Sequence, residues 1–231
     1  MFQFGVSIGS WNTVEPVWVY QLDWTKTQID NNNAYITTST NLGAMLGSIL
    51  APYLFPYGKV RMIALTNIVY FIAIALCMFQ HLYIFFAGRF LWGFCAGVFS
   101  TLCPKFISEM SPREMMGPLG GINQFMVTFG IALPAMMALV IPNPDTNPDK
   151  DSFLINQYWR VIYVVPAAIA FIQLILLFTA FNYETPIDLK KKGQHDKLLV
   201  LMRKMYDETE VARRIDEIKI GDLSPVGAES E

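Results

Sequence analysis

Long apolar runs, broken only by short polar stretches, fill the chain up to about residue 185. No Asp, Glu, Lys or Arg occurs in residues 31–58, 62–88, 115–144 or 161–183. A helix needs about 20 apolar residues to cross the hydrocarbon of a bilayer, so these four runs are nearly forced to span one. Residues 90–104 form a fifth charge-free run, bounded by Arg89 and Lys105. It is long enough if its helix starts near Leu82 and the two cations sit towards its ends. Residues 1–20 form a sixth run, interrupted by Glu15. The pattern predicts six helices, over about 1–20, 34–56, 61–80, 82–106, 117–141 and 159–182. An even number returns both termini to one side.

After residue 185 the periodicity changes. Leu198, Leu199, Leu201, Met202 and Met205 are spaced for one face of a helix, and a second helical stretch runs from about Val211 to Ile220. Short amphipathic helices lying against the membrane surface are expected over 186–220. Residues 221–231 are polar and read as a disordered tail. The chain thus divides into a six-helix bundle over 1–185, surface helices and a tail. The loop from Ile141 to Asp151 is rich in Pro, Asn and Asp and reads as an exposed connection.

Composition agrees with a membrane chain. It is 53% hydrophobic and 16% charged, against about 45–50% and 25% for soluble domains. Only 17 of the 36 formal charges fall in residues 1–185. A net charge of −2 lacks the basic excess that a nucleic-acid partner requires. Cys77, Cys95 and Cys103 fall within predicted helices without paired spacing and read as small buried hydrophobes. No Asn-x-Ser/Thr sequon occurs.

Loop charge sets an orientation. Lys59 and Arg61, then Lys105 and Arg113, then Lys190, Lys191, Lys192 and Lys197 fall on one side, whereas the opposite loops carry Lys26 and Lys150 among several aspartates. The Lys/Arg bias places both termini on the cytoplasmic or matrix-like side. Small-residue pairs at four-residue spacing, Gly5 with Gly9, Gly43 with Gly47, Gly93 with Gly97 and Gly117 with Gly121, let helix backbones approach closely in lipid. A compact all-α bundle follows, with Gly43, Gly47, Gly93 and Gly97 as packing positions.

Catalytic chemistry is missing from the sequence. His81 and His195 are isolated, and no His-Glu-x-x-His, Cys-x-x-Cys, Gly-x-Ser-x-Gly or phosphate-cradling loop occurs. Neither an enzyme nor a metal or cofactor site is expected.

One segment is far more specific. Gly88-Arg89-Phe90-Leu91-x-Gly93-x-x-x-Gly97 is followed by Pro104-Lys105-Phe106-Ile107-Ser108-Glu109-Met110-Ser111-Pro112, then by Gly117-x-Leu119-Gly120-x-x-x-Gln124 and Gly130-Ile131. This run resembles the sugar porter family of the major facilitator superfamily. Phe2-Gln3-Phe4-Gly5, Trp159-Arg160 and Tyr183-Glu184-Thr185-Pro186 with Lys192-Gly193 extend the likeness over residues 2–206.

The resemblance implies one half of a twelve-helix fold whose two six-helix halves rock about a substrate site between them. By the same likeness Gln124 corresponds to a sugar-contacting amide, while Glu109 and Glu184 correspond to carboxylates that pair with arginines to close one end. Amide groups suit an uncharged polyol because they both donate and accept hydrogen bonds. Asn123, Asn41 and Gln3 are the further candidates for that site, with Ser7, Ser10, Asn12 and Ser39 able to line it. Lys59, Arg61 and Arg113 are the cations available to Glu109 and Glu184.

Departures from the family pattern point elsewhere. The acid and Arg pair of the loop between the second and third helices read here as Phe55-Pro56-Tyr57-Gly58-Lys59-Val60-Arg61, and two further family arginines stand as Met116 and Ile187. The gate is therefore expected to be eroded. With Met1 directly ahead of the Phe2-Gln3-Phe4-Gly5 stretch, the first helix is expected to draw Glu15 and Pro16 into the span, a shortened wall for a transport pathway. Glu15 is the one mid-span carboxylate, so a facilitator is the simpler transport mode. Two readings follow. The first is a half-transporter moving a hexose-like solute once paired with a second six-helix half. The alternative is a non-transporting accessory subunit of a larger membrane complex, derived from a transporter.

Overall fold

The computed structural model describes residues 1–112, 115–141, 157–179, 183–206, 208, 210–211 and 215. Six long helices account for most of these: α1 (Phe2–Gln21), α2 (Lys26–Leu54), α3 (Lys59–Cys77), α4 (Leu82–Met110), α5 (Met116–Ala138) and α6 (Tyr158–Thr179). Two short ones follow, α7 (Pro186–Lys191) and α8 (His195–Met205). The expected helices fall at these positions within a few residues at most ends. An exception is α2, which starts at Lys26 instead of near 34. Thr25 and Gln28 explain it: the Thr25 backbone N–H donates to Gln28 Oε1 at 3.0 Å, half of a capping box that nucleates the helix before the asparagine run.

α3, α4, α5 and α6 are long and apolar enough to cross a membrane. α1 and α2 are long enough, but Ser7, Ser10, Asn12, Thr13 and Glu15 on one, and Thr37 to Asn41 on the other, keep them below that measure. They are held by packing instead. α1 and α4 lie at the centre, α2 flanks α4, α5 flanks α1, and α3 and α6 pack together beside the central pair. Trp18, Trp92, Trp159, Tyr70, Tyr163 and Phe85 are fully buried where α1, α3, α4 and α6 meet. Most of their ring pairs meet edge to face, with Trp18 5.7 Å from Trp159 and Trp92 5.4 Å from Tyr163.

The flanking helices are fixed by glycine. A Cβ on Gly43 or Gly47 of α2 would overlap the carbonyl oxygens of Phe90 and Phe94, and one on Gly93 or Gly97 of α4 would overlap those of Thr40 and Ala44. The two motifs interlock, backbone against backbone. Gly5 of α1 and Gly130 of α5 abut in the same way, and a Cβ on Gly9 would come within 2.7 Å of the Ile131 carbonyl oxygen. By contrast, Gly117 and Gly121 meet no neighbour within 4 Å among the described residues.

α8 is amphipathic as expected, and α7 adds a turn of helix ahead of it. Leu198, Leu201 and Met202 bury themselves against Leu189 of α7, with Met110 and Tyr183 packed alongside. This small core is closed within the chain, while Leu199 and Val200 remain exposed. The expected helix over 211–220, the loop after Ile141 and the tail over 221–231 lie wholly or mostly outside the described residues.

Candidate functional site

Charged residues gather at one end of the bundle, where α3 begins, α4 ends and α7 follows α6. Lys59, the first residue of α3, is buried, and its ammonium lies 2.8 Å from Glu109 Oε2 and 2.9 and 3.0 Å from the two carboxylate oxygens of Asp188. Only 4% of the Lys59 side chain, 4% of Glu109 and 8% of Asp188 is exposed. Thr185 Oγ1 donates to Glu109 Oε2 at 2.7 Å, and Lys105 stands 3.6 Å from Glu109 Oε1 one helical turn away. One cation thus ties α4 to α7 through two carboxylates. Such a pair is costly to bury and costlier to break, because removing one partner leaves an uncompensated charge.

Local structure places each member. Gly58 adopts φ +109°, a conformation that disfavours side chains, and a Cβ there would also come within 2.9 Å of Glu184 Cδ. The turn it allows starts α3 immediately, so Lys59 enters at the helix's first position. Glu184 Oε2 accepts from the Val60 backbone N–H at 3.4 Å, an anion on the positive end of α3. Thr185 caps α7, its Oγ1 accepting from Asp188 N at 3.4 Å with Pro186 at the first helical position.

The sequence expectations are met unevenly here. Lys59 and Glu109 come together despite the altered loop, whereas Glu184 contacts a helix terminus instead of a cation. Arg61 is exposed and makes no ion pair among the described residues; Arg113 lies outside them. Asp188 was not anticipated. Its signal was present, since Thr185-Pro186-Ile187-Asp188 has the capping-box spacing of a Thr followed three residues later by an acid.

The amide candidates separate into two groups. Gln124 and Asn41 are exposed and Asn123 half-buried, on the flanking helices α5 and α2, and none of the three side chains is hydrogen-bonded among the described residues. Gln3 is buried instead. Its Nε2 lies 3.3 Å from Asn67 Oδ1 of α3 and 3.5 Å from Gln173 Oε1 of α6, so its amide joins three helices. Ser7 and Ser10 are likewise buried, Ser39 is half-buried and Asn12 is exposed. Further along α1, Trp11 Nε1 donates to Asn33 Oδ1 at 2.9 Å, and Asn33 Nδ2 donates to Glu15. Among the described residues no group of His, Cys, Asp and Glu could hold a metal ion.

Arg89 also lies inside the bundle. Its two terminal nitrogens donate to Ser10 Oγ and the Ser7 carbonyl at 3.0 Å each, and the guanidinium sits 5.4 Å from the Trp92 ring. Replacing it with Lys keeps the charge but loses the planar fork that reaches both acceptors. The expected result is a destabilisation of about 1.5–3 kcal/mol, the worth of a charged hydrogen bond. Unfolding in mixed detergent micelles measures it, and an unchanged midpoint would rule the fork out.

Comparison with known proteins adds the wider frame. Hexose transporter 1 of Plasmodium falciparum is 27% identical over 230 residues, covering 94% of this chain and 45% of the relative. Hexose transporter 1 of Toxoplasma gondii is 27% identical over 233 residues, covering 94% and 40%. The chain therefore spans about half the length of the curated relatives it matches. Among solved structures, the proton:xylose symporter XylE bound to 6-bromo-6-deoxy-D-glucose aligns with a TM-score of 0.79 at 20% identity, over 94% of this chain and 50% of that one. A partially occluded inward-open form of XylE from E. coli aligns with a TM-score of 0.79 at 21% identity, over 96% and 57%. These structures share the fold, that of half a major facilitator superfamily protein. The family model described as "Sugar (and other) transporter" matches residues 1–221, and the chain belongs to that family of membrane transporters, not enzymes.

Proposed function

We propose that this chain is a sugar-porter-like half-transporter, moving a hexose-like solute by alternating access when a second six-helix half faces it. The observation that carries the reading is the Lys59–Glu109–Asp188 cluster. It is a buried ionic latch joining the start of α3, the end of α4 and α7, at the end of the bundle where the family resemblance expects the carboxylates that close a pathway. Exposed Gln124 and Asn41, with half-buried Asn123, supply unspent amides on the two flanking helices, suited to a polyol's hydroxyls. Gln3, already bonded to Asn67 and Gln173, serves as a tie between helices instead. A polar face on α2 and α5 needs covering in lipid, which supports a partner half or other membrane subunits. Both termini then lie on the cytoplasmic or matrix-like side, with the latch.

The accessory-subunit reading rests on an eroded gate. Lys59 reaching two carboxylates weighs against that erosion, although Met116 and Ile187 still lack the family's cations.

The test is uptake of labelled hexose into cells or vesicles carrying the chain with its native partners. Gln124→Ala should reduce uptake to background while leaving the native particle's mass unchanged. Uptake equal to wild type would remove Gln124 from the pathway. A wild-type particle without a second six-helix half, inactive for every hexose tried, would overturn the transport reading itself.

A further inference from the structure

Beside the latch, but separate from it, a cavity of about 670 Å³ opens between the start of α3, Tyr183 and the α7–α8 turn. Arg61, Lys192 and Lys197 line it. We propose that this cavity binds a phosphate-bearing ligand.

Three features carry the proposal. Its volume is that of a small-molecule site, typically about 300–1,000 Å³. None of the three cations makes an ion pair or side-chain hydrogen bond among the described residues, whereas Lys59 and Lys105 at the same end are both paired. Three cations around one hollow suit an anion that can accept from them, and a phosphate offers three strong acceptor oxygens. The turn at Gly193, with φ +65°, then directs α8 from the cavity wall, and Gln194 ahead of that helix provides no side-chain cap. First-turn amides at such a terminus suit the same charge.

Two carboxylates also line the cavity and set the limits of the site. Glu184 faces Gly58 and accepts from Val60 N, so its charge is turned towards the α3 terminus. Asp196 lies in the first turn of α8 and competes for the same positive end. The five charged side chains of the lining still leave one net positive charge. Val60, Leu189 and Val200 add an apolar wall for the rest of a ligand. Two sources fit this chemistry: a phospholipid headgroup from the adjoining leaflet, or a free phosphorylated small molecule.

The experiment uses the purified chain in neutral detergent with two probes. Inorganic pyrophosphate is titrated calorimetrically at constant ionic strength. Phosphatidylglycerol is offered against phosphatidylcholine in mixed micelles, and retained lipid is read by native mass spectrometry. Lys192→Gln with Lys197→Gln tests the cavity; Lys191→Gln with Arg203→Gln removes equal charge outside it. The cavity variant should bind the successful probe at least about tenfold more weakly, the loss of roughly one charged contact or more, and the control within about twofold of wild type. Loss confined to pyrophosphate identifies a free phosphate, loss confined to phosphatidylglycerol identifies a headgroup, and loss of both supports the shared site. Failure of wild type to bind either probe, equal weakening of both variants, or weakening of neither would overturn the proposal.

Discussion

Lys59→Met is expected to destabilise the charged end of the bundle by about 3–5 kcal/mol, the usual consequence of leaving one side of a buried ion pair uncompensated. The size follows from geometry. A single ammonium within 2.8 to 3.0 Å of two carboxylates is the shared counter-charge of both, and no other described cation approaches Asp188. Lys105 offsets Glu109 only in part, because half of its side chain is exposed and it stands 3.6 Å away on the same helix. Met matches Lys in length without its charge, so packing around Phe55, whose ring lies 5.7 Å from the ammonium, is largely kept. Adding Glu109→Gln and Asp188→Asn to Lys59→Met should restore much of the lost stability, since the uncompensated charges then disappear. Equilibrium unfolding in mixed detergent micelles gives the three values needed. A Lys59→Met midpoint indistinguishable from wild type would dismiss the latch.

That latch was half legible in the sequence. Glu109 stood out within a long motif and Lys59 was visible in the loop, but their meeting was not, because residue spacing does not reveal where a helix begins. Gly58 settles that by turning the chain so that α3 starts one residue later. Asp188 was hidden for a different reason: the capping pattern that begins at Thr185 predicts a helix start but not which neighbouring helix its first turn meets. The six apolar runs were plain because spanning a bilayer demands length and apolarity in one continuous stretch. The early start of α2 was not, because Asn31, Asn32 and Asn33 read as loop while the Thr25–Gln28 box outweighs them locally. Gln3 illustrates the hardest case. An amide in an apolar helix reads identically whether it faces a cavity or a neighbouring helix, and here it bridges to Asn67 and Gln173. Arg89 is similar, since sequence places it in a span but not inside the bundle, where Ser10 and the Ser7 carbonyl receive it.

Gly97→Leu should prevent the folded protein from accumulating in membranes at all. In lipid the hydrophobic effect supplies no attraction between helices, so α2 and α4 hold together by dispersion and close backbone approach. That approach exists only because four glycines alternate across the seam. A Cβ at Gly97 would overlap the Ala44 carbonyl oxygen, with the Ala44 carbonyl carbon at 2.8 Å behind it. Neither group can rotate away, as a side chain could, because both belong to helical backbone. Overpacking that a side chain can relieve costs about 1–3 kcal/mol; separating the seam adds the contacts of Gly43, Gly47 and Gly93, each of which abuts the opposite backbone. Gly121→Leu is the matched control. It meets nothing within 4 Å among the described residues, and replacing a mid-helix glycine recovers up to about 1 kcal/mol of helix propensity. The Gly121 variant should therefore accumulate as well as wild type, with a single symmetric peak in detergent gel filtration, while the Gly97 variant is lost to degradation or aggregation. Equal recovery of both variants would mean that α2 and α4 are not joined by this seam. Equal loss of both would mean that glycine is needed for some reason other than close approach.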